Sequence, residues 1–514
     1  MSIDDAVRAA YRGYRSRPSD ILPYYLLGLA TPAIAQTVML AGILSGYLVM
    51  LSQNTLEPIL TEVETLGPFS IDDPGMVPAQ QNGQTVIDGQ STDALVTAAE
   101  NALTPELLAV GALTIVSLAL ALFLLNAVVS AGQVHAVYAV LRNRPGLRAG
   151  VDGIARDYRR FVGLALLEIG LIALVTGVLI GSVAAAWFLV SEAIAVLAGL
   201  LAALVWLPLI LFIWVAFLFA PQAVVVEDVG VFAAVRRNLG FVRNNLLTTG
   251  LYVVLLIAVG VATSTLTGLF QFIGTPTLAA LVSSLAVIPL LDFVKTWLFA
   301  SERTEHTLVP RPRERGLGAR FVAALRRGWA ELTTFVRSTP GYHVASTAIF
   351  IVSGYAGWLF SARLDPVLQA SIANRLVGWF PPVEAINLTA NNWQVGVAQA
   401  YSGLAAGIPT IVTLFYNGFF LGAIARFETN TAELIAFVVP HGIIEIPSLL
   451  IAGALGLYLG RSALRLARGR YSREAIAGDI ERAYHVLVGL LILFAVAGLI
   501  EAFVSPYYSG LIGL

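Results

Sequence analysis

Long apolar runs occupy most of this chain, and they restrict its fold more than any other feature. They lie at about 21–51, 107–140, 161–226, 246–271, 278–300, 341–361, 391–425, 434–459 and 484–504. Each meets or exceeds the ~20 residues that a helix needs to cross hydrocarbon at about 1.5 Å per residue. Only 12% of the 514 residues are charged against 57% hydrophobic, and the mean hydropathy is +0.80. A water-facing surface draws on roughly twice that charged fraction. In lipid each backbone polar group must be satisfied within the protein, and runs of this length do so as helices. The reading is an all-α, polytopic helical membrane bundle of about eleven transmembrane segments, six and then five, with amphipathic helices at the interface. Its first partner is therefore the lipid bilayer.

Arginine placement orients the segments. The stretch 52–106 carries Glu57, Glu62, Glu64, Asp72, Asp73, Asp88, Asp93, Glu100 and Glu106, with no lysine or arginine. The loop after the second run holds Arg142, Arg144, Arg148, Arg156, Arg159 and Arg160. Basic loops stay cytoplasmic, so the acidic insert is expected outside, the N-terminus inside and the C-terminus outside, in the cell membrane. The amphipathic opening residues (Asp4, Asp5, Arg8, Arg12, Arg15, Arg17) lead into an apolar run too long for a cleavable signal. Charge, proline and glycine cluster around Pro310-Arg311-Pro312, which predicts a linker at 305–319 between a six-span domain, 1–304, and a five-span domain, 320–514. Amphipathic helices are expected at 229–245 and 320–337. The basic run Arg461, Arg465, Arg468, Arg470, Arg473 fixes parity, so 391–425 must hold two crossings or a re-entrant pair, with Asn391 and Asn392 capping the first.

Three stretches of the second half resemble the stage II sporulation protein M family of five-span membrane domains. They are Asn391-Asn392 with the following residues through Pro409 and Tyr416-Asn417-Gly418; Pro440-His441-Gly442-Ile443-Ile444-Glu445-Ile446-Pro447; and Ile500-Glu501-Ala502-Phe503. The resemblance covers about 320–510 and implies a membrane scaffold. Ala220-Pro221-Gln222 through Asp228 and Ala233 through Asn238 are similar to six-span domains that include the membrane domain of some glycerophosphodiester phosphodiesterases. The catalytic domain of those enzymes is missing from the chain.

Candidate chemistry centres on His441 and Glu445, four apart and so on one helix face. Pro440 and Pro447 bracket them, and each removes a backbone donor. Ionisable groups inside a span suggest function, and broken helices at depth line ion or substrate sites. Asn417-Gly418 is the expected partner of that face. Glu501 is expected near the outer end of the last span, paired with Arg426 or Arg363 or left at the interface. In the first half, Glu168 either faces a cavity or meets Asn126, Gln133 or His135, and Asp292 with Lys295 forms a local ion pair. One His and one Glu fall short of a metal's ligand set, and His135, His306, His343 and His485 are expected toward the cytoplasmic side, so no metal site is predicted. Asn387-Leu388-Thr389 fits a glycosylation sequon in an outer loop.

Absence of cysteine excludes disulfides, thiolate metal sites and a cysteine nucleophile. A net charge of −1 gives no sign of nucleic-acid binding. No phosphate-binding or dinucleotide glycine loop occurs in a suitable context, so no cofactor is expected and an enzyme is disfavoured. The leading expectation is a membrane scaffold or assembly factor. The alternative is a channel or transporter with a path lined by broken helices around His441/Glu445 and Gly407–Gly418. The arginine-rich loops offer docking positions for protein partners, and the glycine-rich second half permits a homo-oligomer.

Overall fold

The computed structural model describes residues 2–65, 69–70, 89–304, 308, 316–362, 364, 368–371 and 379–511. Most of the expected linker, with His306 and Arg363, lies outside these residues. Among those described, ten helices are long and apolar enough to cross a membrane. The chain is an all-α polytopic bundle, and among the described residues strand pairing is confined to Phe69–Ser70 with Leu368–Gln369 and an isolated bridge between Ala370 and Glu428. The first of the two crossings expected in 391–425 falls on the helix Pro381–Ser402, which is not among the ten. Glu384, Asn387, Asn391, Asn392, Gln394 and Gln399 dilute its apolar content.

Contacts divide the chain into two compact units, 1–25 with 124–265 and 282–314, and 26–123 with 266–281 and 315–514. In the first, Gly146–Leu189 and Glu192–Phe217 form an antiparallel pair, and Ser191 caps the second helix by accepting from the Ile194 amide. Helix Glu192–Phe217 gives way to Ala220–Glu227, where Pro221 fits the first turn because that turn leaves its amides unpaired. Asn238 is fully buried at the break. Its amide nitrogen donates to the carbonyls of Val215 (2.8 Å) and Ala216 (2.6 Å), and its oxygen accepts from the Phe219 amide at 2.9 Å. Around it Phe219, Phe241, Tyr252 and Phe299 pack with Phe219 centroid separations of 4.9–6.3 Å. The amphipathic helix Val231–Asn244 carries Asn238 and Phe241 to this core, and Ile288–Arg303, which follows a π-helical turn at Ser283–Val287, brings Phe299.

The second unit places Leu317–Ser338, Pro381–Ser402 and Thr431–Ala467 against Arg473–Phe503, and pairs Pro340–Ser361 with Ile408–Phe427. Thr31–Ser52 packs on Ile408–Phe427. Residues 391–425 are thus two helices joined by a turn at 403–407, where Ala406 and Gly407 take positive φ of 59° and 79°. A Cβ on Gly403 would overlap the Gly456 carbonyl, and one on Gly460 would lie 2.6 Å from the Gly407 backbone. Backbones meet directly here, which side chains would prevent.

Three expectations need correction. The predicted broken helix around His441 is one continuous helix, Thr431–Ala467, that runs through Pro440 and Pro447. The prolines withdraw the donors that would reach Ala436 and Ile443, yet neighbouring helices keep the rod intact, and the Ser448 hydroxyl donates to the Ile444 carbonyl at 2.7 Å. Asn391 and Asn392 do not cap a helix. They lie inside Pro381–Ser402, which begins after Phe380 with prolines in its first turn. The sequon at Asn387 is therefore helical, not looped.

Candidate functional site

The continuous helix carries His441 and Glu445 to the same side, one turn apart, and the last turn of Arg473–Phe503 brings Glu501 to them. One donor atom from each of the three groups lies within 4.8 Å of the others. His441 Nε2 is 3.9 Å from Glu501 Oε1, and the two side chains are 8% and 13% exposed. On the other ring edge His441 Nδ1 meets Ser505 Oγ at 2.9 Å. Ser505 opens the short helix Ser505–Leu511, so the chain end fixes the imidazole plane. Phe437 stands edge-on to that ring at 5.5 Å and Trp379 edge-on to Phe437 at 6.4 Å, while Trp379 Nε1 donates to the Ala502 carbonyl at 3.1 Å. Phe437 thereby covers the imidazole, and Trp379 holds the last turn of Arg473–Phe503. Glu384 of Pro381–Ser402 adds its charge from nearby.

Two carboxylates this close repel one another unless a proton or a cation lies between them. Glu445 Oε2 and Glu501 Oε2 are both buried without a hydrogen-bond partner. Among the described residues no Lys or Arg pairs with either, and Arg426 instead stacks over Trp358 at 5.3 Å. Sequence spacing could pair His441 with Glu445. The motif Ile500-Glu501-Ala502-Phe503 marks Glu501 as a candidate of the same buried polar site, while spacing gives neither its meeting with His441 nor Ser505, which arrive through packing.

Asn417 and Gly418, expected beside this cluster, are not joined to it. Gly418 packs against Phe350 and Ser353 of Pro340–Ser361, and Asn417 Nδ2 is buried without a partner. Asn391 and Asn392 bond only weakly to each other, at 3.3 Å.

In the first unit the candidate group also rearranges. His135 Nε2 meets Asp157 Oδ2 at 2.9 Å, and the fully buried Asp157 is held by Arg156 at 2.9 Å and Arg160 at 3.0 Å. Arg160 also pairs with Asp228 at 2.5 Å, and this bond holds the Asp228 carboxyl below the usual carboxylate range. Glu168 hydrogen-bonds to none of Asn126, Gln133 or His135 among the described residues. Its charged neighbour is Lys295, which also faces Asp292, and Asp292 accepts from Tyr25 at 2.7 Å. Asp157 was available to a sequence reading as a lone acid three residues before Arg160 in an otherwise basic turn.

At the arginine-rich end of the second unit, Asp479 accepts from Tyr458 and, at 2.9 Å, from Tyr471. Burial, and then that carboxylate, raise the Tyr471 phenol above its ordinary value. A cavity of about 550 Å³ opens there, lined by Tyr342, Gly407, Arg461, Arg465, Arg468 and Arg470 among others.

The order of the second-half helices and motifs can now be set beside known proteins. Residues 346–506 match the model of the stage II sporulation protein M family. This region contains His441, Glu445, Glu501 and Ser505. Residues 94–301 match a domain of unknown function (DUF7847). An uncharacterized protein of Methanocaldococcus jannaschii is 24% identical over 124 residues, spanning 23% of this chain and 70% of its own length. No solved structure matches the chain. The chain is a multi-pass membrane protein, and the bilayer is its environment.

Proposed function

We propose that the chain is an integral membrane scaffold or assembly factor that receives protein partners at its arginine-rich cytoplasmic end. The observation that carries this reading is the direct backbone packing at Gly403, Gly407, Gly456 and Gly460. A solute path along Gly407–Gly418 would have to pass where those backbones touch, and rigid contact of this kind suits a platform better than a gate. The cavity lined by Arg461, Arg465, Arg468 and Arg470 supports an acidic protein segment as the docked partner, because guanidinium forks match carboxylates. Arginine placement supports a cytoplasmic N-terminus and an outward C-terminus. In this reading 1–304 and 320–514 are two sequence modules joined through 305–319, and a homo-oligomer is one assembly the platform can build.

Flux assays on the full chain in liposomes test the reading. Ion and solute flux should equal that of protein-free vesicles, for both the native chain and Glu445→Gln. In native membranes, photo-crosslinked adducts at the arginine cavity should be lost on Arg461→Glu with Arg465→Glu. Flux that depends on Glu445 would replace the scaffold by a transporter.

A further inference from the structure

We infer that His441, Glu445 and Glu501 form a binding site for one divalent transition-metal cation of the zinc or manganese class. The assignment does not rest on the scaffold reading, since a platform and a transporter could each carry it.

Three observations converge. The donors already gather: one atom from each side chain lies within 4.8 Å of the other two, although Glu501 comes from a different helix. With both carboxyls ionised and the imidazole neutral, their charges sum to −2, which a divalent ion cancels in place of the proton that the Glu445–Glu501 hydrogen bond otherwise requires. Among the described residues neither Glu445 nor Glu501 has an arginine or lysine to do so, and uncompensated charge inside an apolar span is costly. Finally, although the two carboxyls hydrogen-bond to each other, each keeps one oxygen without a partner. Glu445 Oε2 and Glu501 Oε2 are buried without hydrogen bonds. The His441 side chain is only 8% exposed, and its Nε2 stands 3.9 Å from Glu501 Oε1, beyond hydrogen-bond range.

The surroundings fit the same assignment. With its proton on Nδ1, His441 donates to Ser505 Oγ, 2.9 Å away, and turns the Nε2 lone pair toward the carboxylates. A ligating histidine is usually held through its other nitrogen in this manner. Two donors on one zinc ion sit roughly 3.3 Å apart, given bonds of about 2.0–2.1 Å in tetrahedral geometry. Closing 3.9 Å to that separation is within the reach of side-chain torsions. One nitrogen with two carboxylates suits zinc, manganese or cobalt; calcium takes six to eight oxygens, and magnesium keeps most of its waters. Three protein ligands leave a position for water or for an anionic group of a bound molecule.

The test uses the full chain in detergent, purified without a histidine tag, stripped with a chelator and titrated separately with Zn²⁺, Mn²⁺, Co²⁺, Ca²⁺ and Mg²⁺. Metal content after dialysis should reach one equivalent per chain for at least one of the first three ions, with a rise in Tm. Glu445→Gln and Glu501→Gln should each weaken binding at least tenfold, and His441→Ala should abolish it, while His485→Ala leaves it unchanged. X-ray absorption of the loaded native chain keeps the test independent of variant folding: it should show nitrogen and oxygen ligands with one imidazole. Binding that is absent, equal in the Glu445→Gln/Glu501→Gln double variant, or without imidazole scattering overturns the assignment.

Discussion

Asn238 bonds to three backbone groups across the break at residues 218–219, of which the Val215 carbonyl also accepts from the Leu218 amide at 3.2 Å. Truncation leaves the Val215 and Ala216 carbonyls and the Phe219 amide without that partner. At about 1 kcal/mol or more for each unpaired buried group, Asn238→Ala should cost roughly 2–4 kcal/mol, measured by denaturant or thermal unfolding in detergent. A loss near zero would mean that the chain or water re-satisfies the break. The sequence held this residue inside a recognisable stretch, but without any sign of its role. A side chain that bonds backbone nineteen or more residues away leaves no local spacing to read. The same is true of Glu501. His441 and Glu445 were legible because helical periodicity places them together, whereas Glu501 joins them through the packing of two long helices. Asn391 was misleading for the opposite reason: asparagine favours caps, but the prolines at 381 and 382 start the helix first.

At the scale of elements, apolar length and arginine position carried most of the information. Those runs marked the helices now seen at Pro105–Leu141, Leu246–Phe272 and Pro340–Ser361, and the turn at Ser191-Glu192 falls where the polar pair interrupts the apolar hairpin. Helix continuity through Pro440 and Pro447 was not legible, because proline's cost depends on which neighbours can satisfy the freed carbonyls. Glycine poses the same problem, since composition does not say which glycines touch a backbone. Gly403→Ala would drive a Cβ into Gly456 and should destabilise the second unit by about 1–3 kcal/mol. Gly170→Ala meets nothing within 4 Å and should be neutral, or stabilising by up to about 1 kcal/mol. Thermal melts of the two purified variants compare them directly. Equal melting temperatures would show that the Gly403 turn is free to shift.

For the molecule as a whole, the absence of cysteine makes single-cysteine labelling a direct check of orientation. In intact cells a membrane-impermeant maleimide should label Glu57→Cys and spare Arg144→Cys, and permeabilisation should expose the latter. The reverse pattern would invert the whole arrangement. Both positions are exposed in the structure, so a difference between them reports the bilayer and not burial.

Helix Gly146–Leu189 is a single rod of 44 residues, about 66 Å long, where hydrocarbon spans about 30 Å. The excess is not loose: its opening turns bury Gly146, Leu147, Gly150 and Gly153, Tyr24 donates to the Leu147 carbonyl, and the Gly146 amide donates to Asp20 at 3.0 Å. Asp157, further along the rod, is tied to His135 at 2.9 Å. Any change in the tilt of this rod must therefore carry its neighbours with it, and the first unit responds to bilayer thickness as one body.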